Sequence, residues 1–238
     1  MKYHKAITLS FDDGAEQDKR LLELLQKYQL KCTFNINSGR QKQGEFWRHS
    51  SGVIASFMDM SGLPELYQGH EIAAHGYIHG ALRDMTYGET EFELEEDIRC
   101  IEAAFGTKPV GFVYACGRYD DKTLEILRRN GIRYGRTCNN TFDTSISENK
   151  NNMLEFAPTL ELPCHMLGQF KEKTDAVIDR FLEQEFEEPQ ILYLWGHSWA
   201  FDVYDCWDDM EALLKKISFR DDVFYGTNRE VFEYFDMI

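Results

Sequence analysis

The feature that most limits the fold is a regular alternation of short apolar segments with longer amphipathic ones. Segments such as KAITLSF (5–11) and QILYLWGH (190–197) have the length and composition of buried strands. Between them, segments such as EQDKRLLELLQKY (16–28) place leucines along one face of a helix. Because strands that are joined through helices pair in parallel, the alternation predicts an α/β fold built on a parallel sheet.

The number of such units sets the expected architecture. The predicted strands are residues 5–11, 31–37, 70–75, 110–117, 132–137, 160–165 and 190–197. About seven strand and helix units in 238 residues indicate a closed or nearly closed (β/α) barrel that resembles a TIM barrel. No Pro/Gly/Ser-rich linker divides the chain, so we expect one domain over residues 1–238.

The charge of the chain excludes several classes of partner. Acidic residues outnumber basic ones by 41 to 26, which gives a formal net charge of -15 and disfavours nucleic acids and anionic membranes.

The first residues lack the apolar core of a signal peptide, and no 18 apolar residues run together, so a cytoplasmic protein is expected. The six cysteines contain no C-x-x-C pair and are expected to be free thiols.

Polar residues that can carry chemistry stand at the ends of four predicted strands. They are Asp12 and Asp13, His75 and His79, Cys116, and His197. In parallel α/β folds ligands bind at the carboxyl ends of the strands, so these residues are expected to converge on one site.

Two short motifs suggest a metal centre when they are taken together. Neighbouring side chains on a strand alternate between faces, so Asp12 and Asp13 reach one site only if the chain turns there, as Gly14 permits. The four-residue spacing of His75 and His79 aligns both imidazoles on one side of a helical turn. Taken alone, an Asp-Asp-Gly turn and a histidine pair each have a purely structural interpretation.

Three motifs resemble those of the polysaccharide deacetylases, metal-dependent carbohydrate esterases that include chitin and peptidoglycan deacetylases. SFDDG (10–14) is similar to their T-F-D-D-G motif, HGYIH (75–79) to H-[ST]-x-x-H, and LWGH (194–197) to L-x-x-H. The motifs occur in the order of the family and span most of the chain. The resemblance implies a distorted (β/α) barrel with about seven strands.

The resemblance also implies a role for each site residue. One divalent ion, preferably zinc but also cobalt, nickel or manganese, would be held by Asp13, His75 and His79. Asp12 would be the catalytic base, His197 the catalytic acid, and the backbone N–H of Cys116 an oxyanion donor. Substrate contacts are expected from Tyr114, Leu194, Trp195 and Trp199. For Trp195, Trp199 and the nearby Trp207, two interpretations stay open, which are stacking on a sugar ring and packing within the protein.

The third family motif, R-x-P-Y-G, departs most in this chain. Its counterpart VYACG (113–117) has Val113 in place of the arginine that normally braces the catalytic aspartate. Arg118 or Arg136 is a candidate to supply that charge. The family's fourth motif has only a loose counterpart around Phe142. The acidic segment 89–100 is interpreted as the solvated face of a helix.

The expected function is removal of an acetyl group from a sugar or oligosaccharide, with an N-acetyl group favoured over an O-acetyl ester. One alternative keeps the same fold and chemistry but takes a non-sugar amide as substrate. Another is a sugar-binding relative without catalysis. A further alternative rests on the ligand set alone, because two histidines and a carboxylate also suit an Fe(II) oxygenase.

Overall fold

A parallel sheet forms the centre of the protein, which we describe from a computed structural model over residues 2–147 and 149–238. The strands are β1 (Lys5–Asp13), β2 (Thr33–Ile36), β3 (Phe46–Arg48), β4 (Ile54–Ser56), β5 (Glu71–Ala74), β6 (Gly111–Val113), β7 (Tyr134–Arg136), β8 (Leu160–Leu162), β9 (Gln190–His197) and β10 (Val223–Tyr225). The main path is β7-β6-β5-β2-β1-β9-β8, and every pair along it is parallel. All seven predicted strands are confirmed.

Helices follow most of these strands and cover the sheet. They are α1 (Asp18–Lys27), α2 (Leu63–Leu66), α3 (Tyr87–Phe105), α4 (Asp121–Arg129), α5 (Lys171–Glu183), α6 (Ser198–Tyr204), α7 (Trp207–Ile217) and α8 (Asn228–Tyr234). The longest, α3, begins with a capping box between Thr86 and Glu89 and ends at Gly106 in the left-handed conformation. Among the described residues, none of these helices is long and apolar enough to cross a bilayer.

The sheet curls into a distorted barrel, as predicted. The segment 156–162 reaches both of its edges, because Phe156 forms a parallel bridge with Arg136 of β7 and Leu160–Leu162 pairs with β9. The central strand β1 contacts β9 along one edge. On its other edge it pairs first with β10, a strand that the sequence did not predict, and then with β2.

Strand alternation divides the core into two layers of different chemistry. On β1, Leu9 and Phe11 belong to the apolar cluster that includes leucines of the outer helices. The alternate residues Ser10 and Asp12 face the interior, where Asn35 donates to both side chains. Asn228 of α8 also donates to Ser10. The barrel interior is therefore a hydrogen-bonded polar column that ends at Asp12.

A small hairpin of β3 and β4, which lies between β2 and β5 in sequence, forms a separate two-stranded sheet outside the barrel. Its base is attached to the loop that follows β1. Ala15 forms an antiparallel bridge with Phe57, and the N–H of Glu16 donates to the carbonyl of Ser56 at 2.8 Å. The hairpin is therefore fixed next to the end of the strand that carries Asp12 and Asp13.

Candidate active site

Asp12 is a buried carboxylate, and both of its oxygens accept hydrogen bonds. It is 2% exposed, and Nη2 of Arg136 donates to both of its oxygens at 2.6 and 2.5 Å. Asn35 Nδ2 donates to Oδ1 at 2.8 Å. Burial raises the pKa of Asp12, but the charge of Arg136, with smaller contributions from His75 and His197, outweighs burial and holds this pKa below its ordinary value. Asp12 is consequently ionised at neutral pH.

Asp13 reaches the same site because the backbone turns at this residue. Its φ is +81° and that of Gly14 is +68°, so the turn begins one residue earlier than the expected position at Gly14. The Oδ1 atom of Asp13 lies 3.7 Å from Nε2 of both His75 and His79. Its Oδ2 atom accepts a hydrogen bond from Trp199 Nε1 at 2.9 Å.

The two histidines converge, but not through a helical turn. Residues 75–80 form an irregular bend in which Gly76 has φ +84° and His79 has φ +64°, so the predicted helical turn is wrong. The ring centroids nevertheless lie 4.8 Å apart. The ligand atoms of Asp13, His75 and His79 all lie within 4.8 Å of one another.

The surroundings of His75 suit a metal ligand. Its Nδ1 lies 2.8 Å from the carbonyl oxygen of Val113, which only accepts, so the proton is on Nδ1 and the lone pair of Nε2 points to the site. That Nε2 atom is buried and has no hydrogen-bond partner among the described residues. Burial lowers the pKa of His75 to about 4, so the ring is neutral at pH 7. A buried, unpartnered lone pair beside a carboxylate fits a divalent cation.

The loop that carries His79 is held by acidic residues of α3. Glu93 is buried, and its Oε1 accepts from the N–H groups of Ile78 and Gly80 at 2.8 and 2.9 Å. Asp97, also buried, accepts from the N–H of His75 at 3.0 Å. The interpretation of segment 89–100 as only a solvated face is therefore wrong, because the helix buries two of its acids against the loop that carries His75 and His79.

His197 completes the ring of titratable groups around Asp12. It ends β9 directly opposite Asp12 in the strand register. Its Nε2 lies 3.9 Å from Oδ2 of Asp12 and 3.9 Å from Oδ2 of Asp13. The side chain is 22% exposed, so this nitrogen is near the open mouth of the barrel, in contrast to buried Asp12.

Arg136 supplies the charge that the third motif lacks. It ends β7 and is fully buried, and its guanidinium carbon lies 4.0 Å from the ring centroid of Trp195. Arg118, the other candidate, is half exposed and pairs with Asp84 at 2.7 Å. The arginine thus comes from a different strand than in the family motif, while Val113 contributes only its backbone carbonyl here.

The expected substrate residues are divided between the two faces of the sheet. Trp199 lies at the site, with its ring centroid 4.9 Å from that of His197. Trp195 lies 6.0 Å from His197 by the same measure, but it is 3% exposed and packs against Arg136, so the expected substrate contact of Trp195 is wrong. Leu194 and Tyr114 are fully buried in the apolar cluster that includes the outer helices, so the structure does not bring their side chains to the site. Trp207 is also buried and packs on Phe201.

Cys116 lies where the sequence placed it, in the turn Ala115–Gly117 that follows β6. Its backbone is left-handed, with φ +54° and ψ +16°, and its side chain is exposed. The same turn follows Val113, whose carbonyl orients His75. The turn therefore lies at the same edge of the sheet as the histidines.

Sequence reasoning missed one aromatic residue. Trp47 of β3 lies with its ring centroid 4.7 Å from that of Trp199 and is 37% exposed. No motif includes it, and the short hairpin that carries it lies more than a hundred residues from Trp199 along the chain. The only available signal was a lone tryptophan in a polar stretch.

Comparison with known proteins agrees with this architecture. The sequence profile described as polysaccharide deacetylase matches residues 2–135. A peptidoglycan deacetylase of Helicobacter pylori is 30% identical over 115 residues, which cover 48% of this chain and 34% of that protein. The alignment thus spans only about a third of the curated relative.

Solved structures share the fold. The Xyl-CE4 domain of a multidomain xylanase from the hindgut metagenome of Trinervitermes trinervoides superposes with a TM-score of 0.58 and 18% identity, covering 98% of this chain and 91% of that one. A mutant of a CE4 family pseudoenzyme with restored enzymatic activity gives a TM-score of 0.56 at 17% identity, covering 95% and 67%.

The fold and the strand-end cluster define a distorted (β/α) barrel with a candidate His/Asp metal site at its mouth. Since the family profile matches more than half of the residues, the chain belongs to the polysaccharide deacetylase family.

Proposed function

We propose that this protein is a metal-dependent deacetylase that removes an acetyl group from the nitrogen of an acetylated sugar, with residues 1–238 acting as one catalytic domain. The observation that carries the proposal is the convergence of Asp13, His75 and His79 within 4.8 Å, directly beside an ionised, arginine-bound Asp12. Family membership supports a sugar as the substrate.

Asp13, His75 and His79 are proposed as the ligands of one divalent ion. Two imidazoles and one carboxylate are a typical zinc donor set, and three protein ligands leave coordination positions open. A bound ion would supply Lewis-acid polarisation of the acetyl carbonyl and a lower pKa for water. Trp199 and the carbonyl of Val113 fix the orientation of two of these ligands through hydrogen bonds.

Asp12 is proposed as the general base. Its carboxylate is ionised and is held in one orientation by Arg136 and Asn35, so it can take a proton from the attacking water. The same donors stop Asp12 from rotating toward the metal ligands. In this arrangement Arg136 has the bracing role that the family assigns to an arginine in its third motif.

His197 is proposed as the general acid. Its Nε2 lies at the open side of the site, 3.9 Å from both aspartates, where a leaving amine would be released. The N–H of Cys116 is proposed as a donor to the oxygen that becomes negative during the reaction. His197 is the last residue of β9, and Cys116 lies in the turn that follows β6.

The proposal requires metal binding and acetate release to depend on the same residues. The test is to measure bound zinc by elemental analysis, and acetate released from N-acetylglucosamine oligomers, for the wild type, Asp13→Ala and His79→Ala. We expect loss of the metal and at least a hundredfold lower activity in both variants. His4→Ala is the matched control, because His4 is an exposed histidine at the opposite end of β1.

Full activity in either ligand variant would contradict the proposal. Metal binding by the wild type without acetate release from any acetylated sugar would favour a binding protein without catalysis. Acetate release from small amides but not from sugars would favour the non-sugar hydrolase.

A further inference from the structure

The hairpin of β3 and β4 has an inner face that is directed at the active site. In its register Trp47 is opposite Ala55, and Ala55 is buried. Because side chains alternate along a strand, Phe46 and Arg48 project from the other face. The inner face thus presents one indole beside one small residue, which leaves room for that indole to lie against Trp199.

Three rings form a continuous aromatic wall, which we define as Trp47, His49 and Trp199. The centroid of Trp199 lies 4.7 Å from that of Trp47 and 5.9 Å from that of His49, and Trp47 and His49 lie 5.6 Å apart. Such separations are those of packed aromatic pairs. The wall is thus a single surface contributed by two elements that are distant in sequence.

The aromatic wall is tied to the reaction centre. Trp199 donates from Nε1 to Oδ2 of Asp13 at 2.9 Å, and its ring centroid lies 4.9 Å from that of His197. One end of the wall therefore contacts a candidate metal ligand, while the other end, Trp47, lies one ring further out. A ligand that contacts both ends must be larger than an acetyl group with a single small substituent.

The hairpin is held in place at several points, so the wall is not a loose flap. Glu16 donates from its N–H to the carbonyl of Ser56, and Gln17 Nε2 donates to the carbonyl of Ile54 at 3.0 Å. Trp47 is nevertheless 37% exposed. A fixed indole that keeps a third of its surface in water, beside a reaction centre, has the geometry of a binding surface rather than of a core residue.

The chemistry of the wall selects the class of ligand. Indole faces favour flat, weakly polar surfaces, and the C–H faces of a pyranose ring are of this kind. With 41 acidic and 26 basic residues, the chain repels polyanions and suits a neutral ligand. Trp47 is connected to Asp13 and His197 through Trp199, so a ligand that covers both indoles must extend one ring beyond the group at the reaction centre.

We propose that the aromatic wall is a subsite for a second sugar ring, adjacent to the ring that carries the acetyl group, and that Trp47 makes the protein selective for oligosaccharides over single sugars. This inference rests on the proposed function. It assigns to the hairpin a role in substrate choice, separate from the strand-end residues that perform the chemistry.

The test compares the β-1,4-linked tetramer of N-acetylglucosamine with the monomer in the zinc-loaded protein. The quantity is the ratio of kcat/KM for tetramer to that for monomer. For Trp47→Ala we expect this ratio to fall about tenfold or more, mainly through KM of the tetramer, because the indole area that a sugar would cover is lost. Trp47→Phe keeps a ring and should recover most of the ratio. Phe46→Ala is the matched control, since Phe46 is an exposed aromatic on the same hairpin but on its outer face.

A second readout does not depend on turnover. Calorimetric binding of the tetramer to Asp12→Asn should weaken about tenfold when Trp47→Ala is added and should not change with Phe46→Ala. An unchanged kcat/KM ratio and unchanged tetramer binding in Trp47→Ala would overturn the inference. If the wild type releases no acetate from either sugar, the proposed function fails, and the binding comparison alone then decides whether the aromatic wall holds a sugar chain.

Discussion

The two sides of the active site are built in different ways. The inner side consists of Asp12, Arg136 and His75, whose side chains are almost completely buried. Arg136 ends β7, Asp12 is the next-to-last residue of β1, and His75 directly follows β5. The outer side is the aromatic wall, in which a hairpin from outside the barrel meets Trp199 of α6. The inner side fixes charges and lone pairs, whereas the outer side offers exposed surface.

This difference separates chemistry from recognition. Groups that transfer protons or hold a cation must be fixed to within a fraction of an ångström, which parallel strand ends and buried hydrogen bonds achieve. Contacts to the distant parts of a substrate tolerate more variation, and loops and hairpins supply them in many folds. Substitutions on the inner side should therefore lower kcat, and substitutions on the outer side should change KM and selectivity.

Among the residues that support the site rather than form it, the largest effect is expected from Arg136→Met. Without the guanidinium, the buried Asp12 loses the charge that contributes most to lowering its pKa, so this pKa rises and the acidic limb of the pH–rate profile moves to higher pH. We expect kcat at pH 7 to fall about tenfold to a hundredfold. The measurement is the pH dependence of acetate release.

Arg118→Met is the matched control for this variant, because Arg118 is exposed and pairs only with Asp84. Thermal unfolding of both variants separates loss of structure from loss of chemistry. A folded Arg136→Met protein whose acidic limb does not move would show that Asp12 does not depend on Arg136.

A smaller effect is expected from Glu93→Ala, which acts on the border between the two sides. The variant leaves the N–H groups of Ile78 and Gly80 without their acceptor, so the loop that positions His79 loosens. Zinc affinity should fall about tenfold, in the range typical of residues that orient metal ligands. The measurement is competition with a chelating dye.

Glu91→Ala provides the control on the same helix, because Glu91 is only partly buried and pairs with Arg129 at the surface. Equal zinc affinity in Glu93→Ala and the wild type would show that Glu93 of α3 does not help to position the metal ligands.

The smallest effect on activity is expected from Asp18→Asn, because Asp18 lies in the buried layer and its substitution changes mainly stability. Asp18 is fully buried at the start of α1, where Tyr67 OH donates to it, and burial raises its pKa to about 7. Because its folded-state pKa exceeds the unfolded value of about 4, its stabilising contribution is complete below pH 4 and is lost as the pH rises through 7. Relative to Asp18→Asn, the wild type should lose about 1–3 kcal/mol of unfolding free energy between pH 4 and 8.

Asp121→Asn is the control, since Asp121 has the same position at the start of α4 but is exposed. Urea unfolding at several pH values provides the measurement. Parallel pH curves for the wild type and Asp18→Asn would show that Asp18 titrates alike in the folded and unfolded chains.

The sequence predicted the inner side better than the outer side, and the reason is geometric. Strand ends of a parallel sheet meet at one edge, so locating the strands also located Asp12, His75 and His197. Arg136 was one of two candidates, because charge alone does not distinguish a buried strand end from an exposed turn. Trp47 was missed because its contact with Trp199 depends on how a short hairpin folds against α6, which no local pattern encodes.

The same limit applies to the layers of the barrel. Leu194 and Trp195 are adjacent, yet alternation places one against the helices and the other beneath Arg136. Because side chains alternate along β9, Trp195 faces the same side as His197 and Leu194 faces the other side, and this rule would have told the two residues apart. Glu93 and Asp97 were hidden among seven acidic residues of one helix, where composition favours a solvated face and only the packed structure shows which acids are buried.

The most direct test of the proposed mechanism is acetate release by zinc-loaded Asp12→Asn. The substitution keeps the size of the side chain and leaves Asp13, His75 and His79 unchanged. We predict that the variant binds one zinc ion with nearly the affinity of the wild type but releases acetate from the N-acetylglucosamine tetramer at least a hundredfold more slowly. Acetate release at the wild-type rate from this zinc-loaded variant would contradict the assignment of Asp12 as the base at a strand-end metal site.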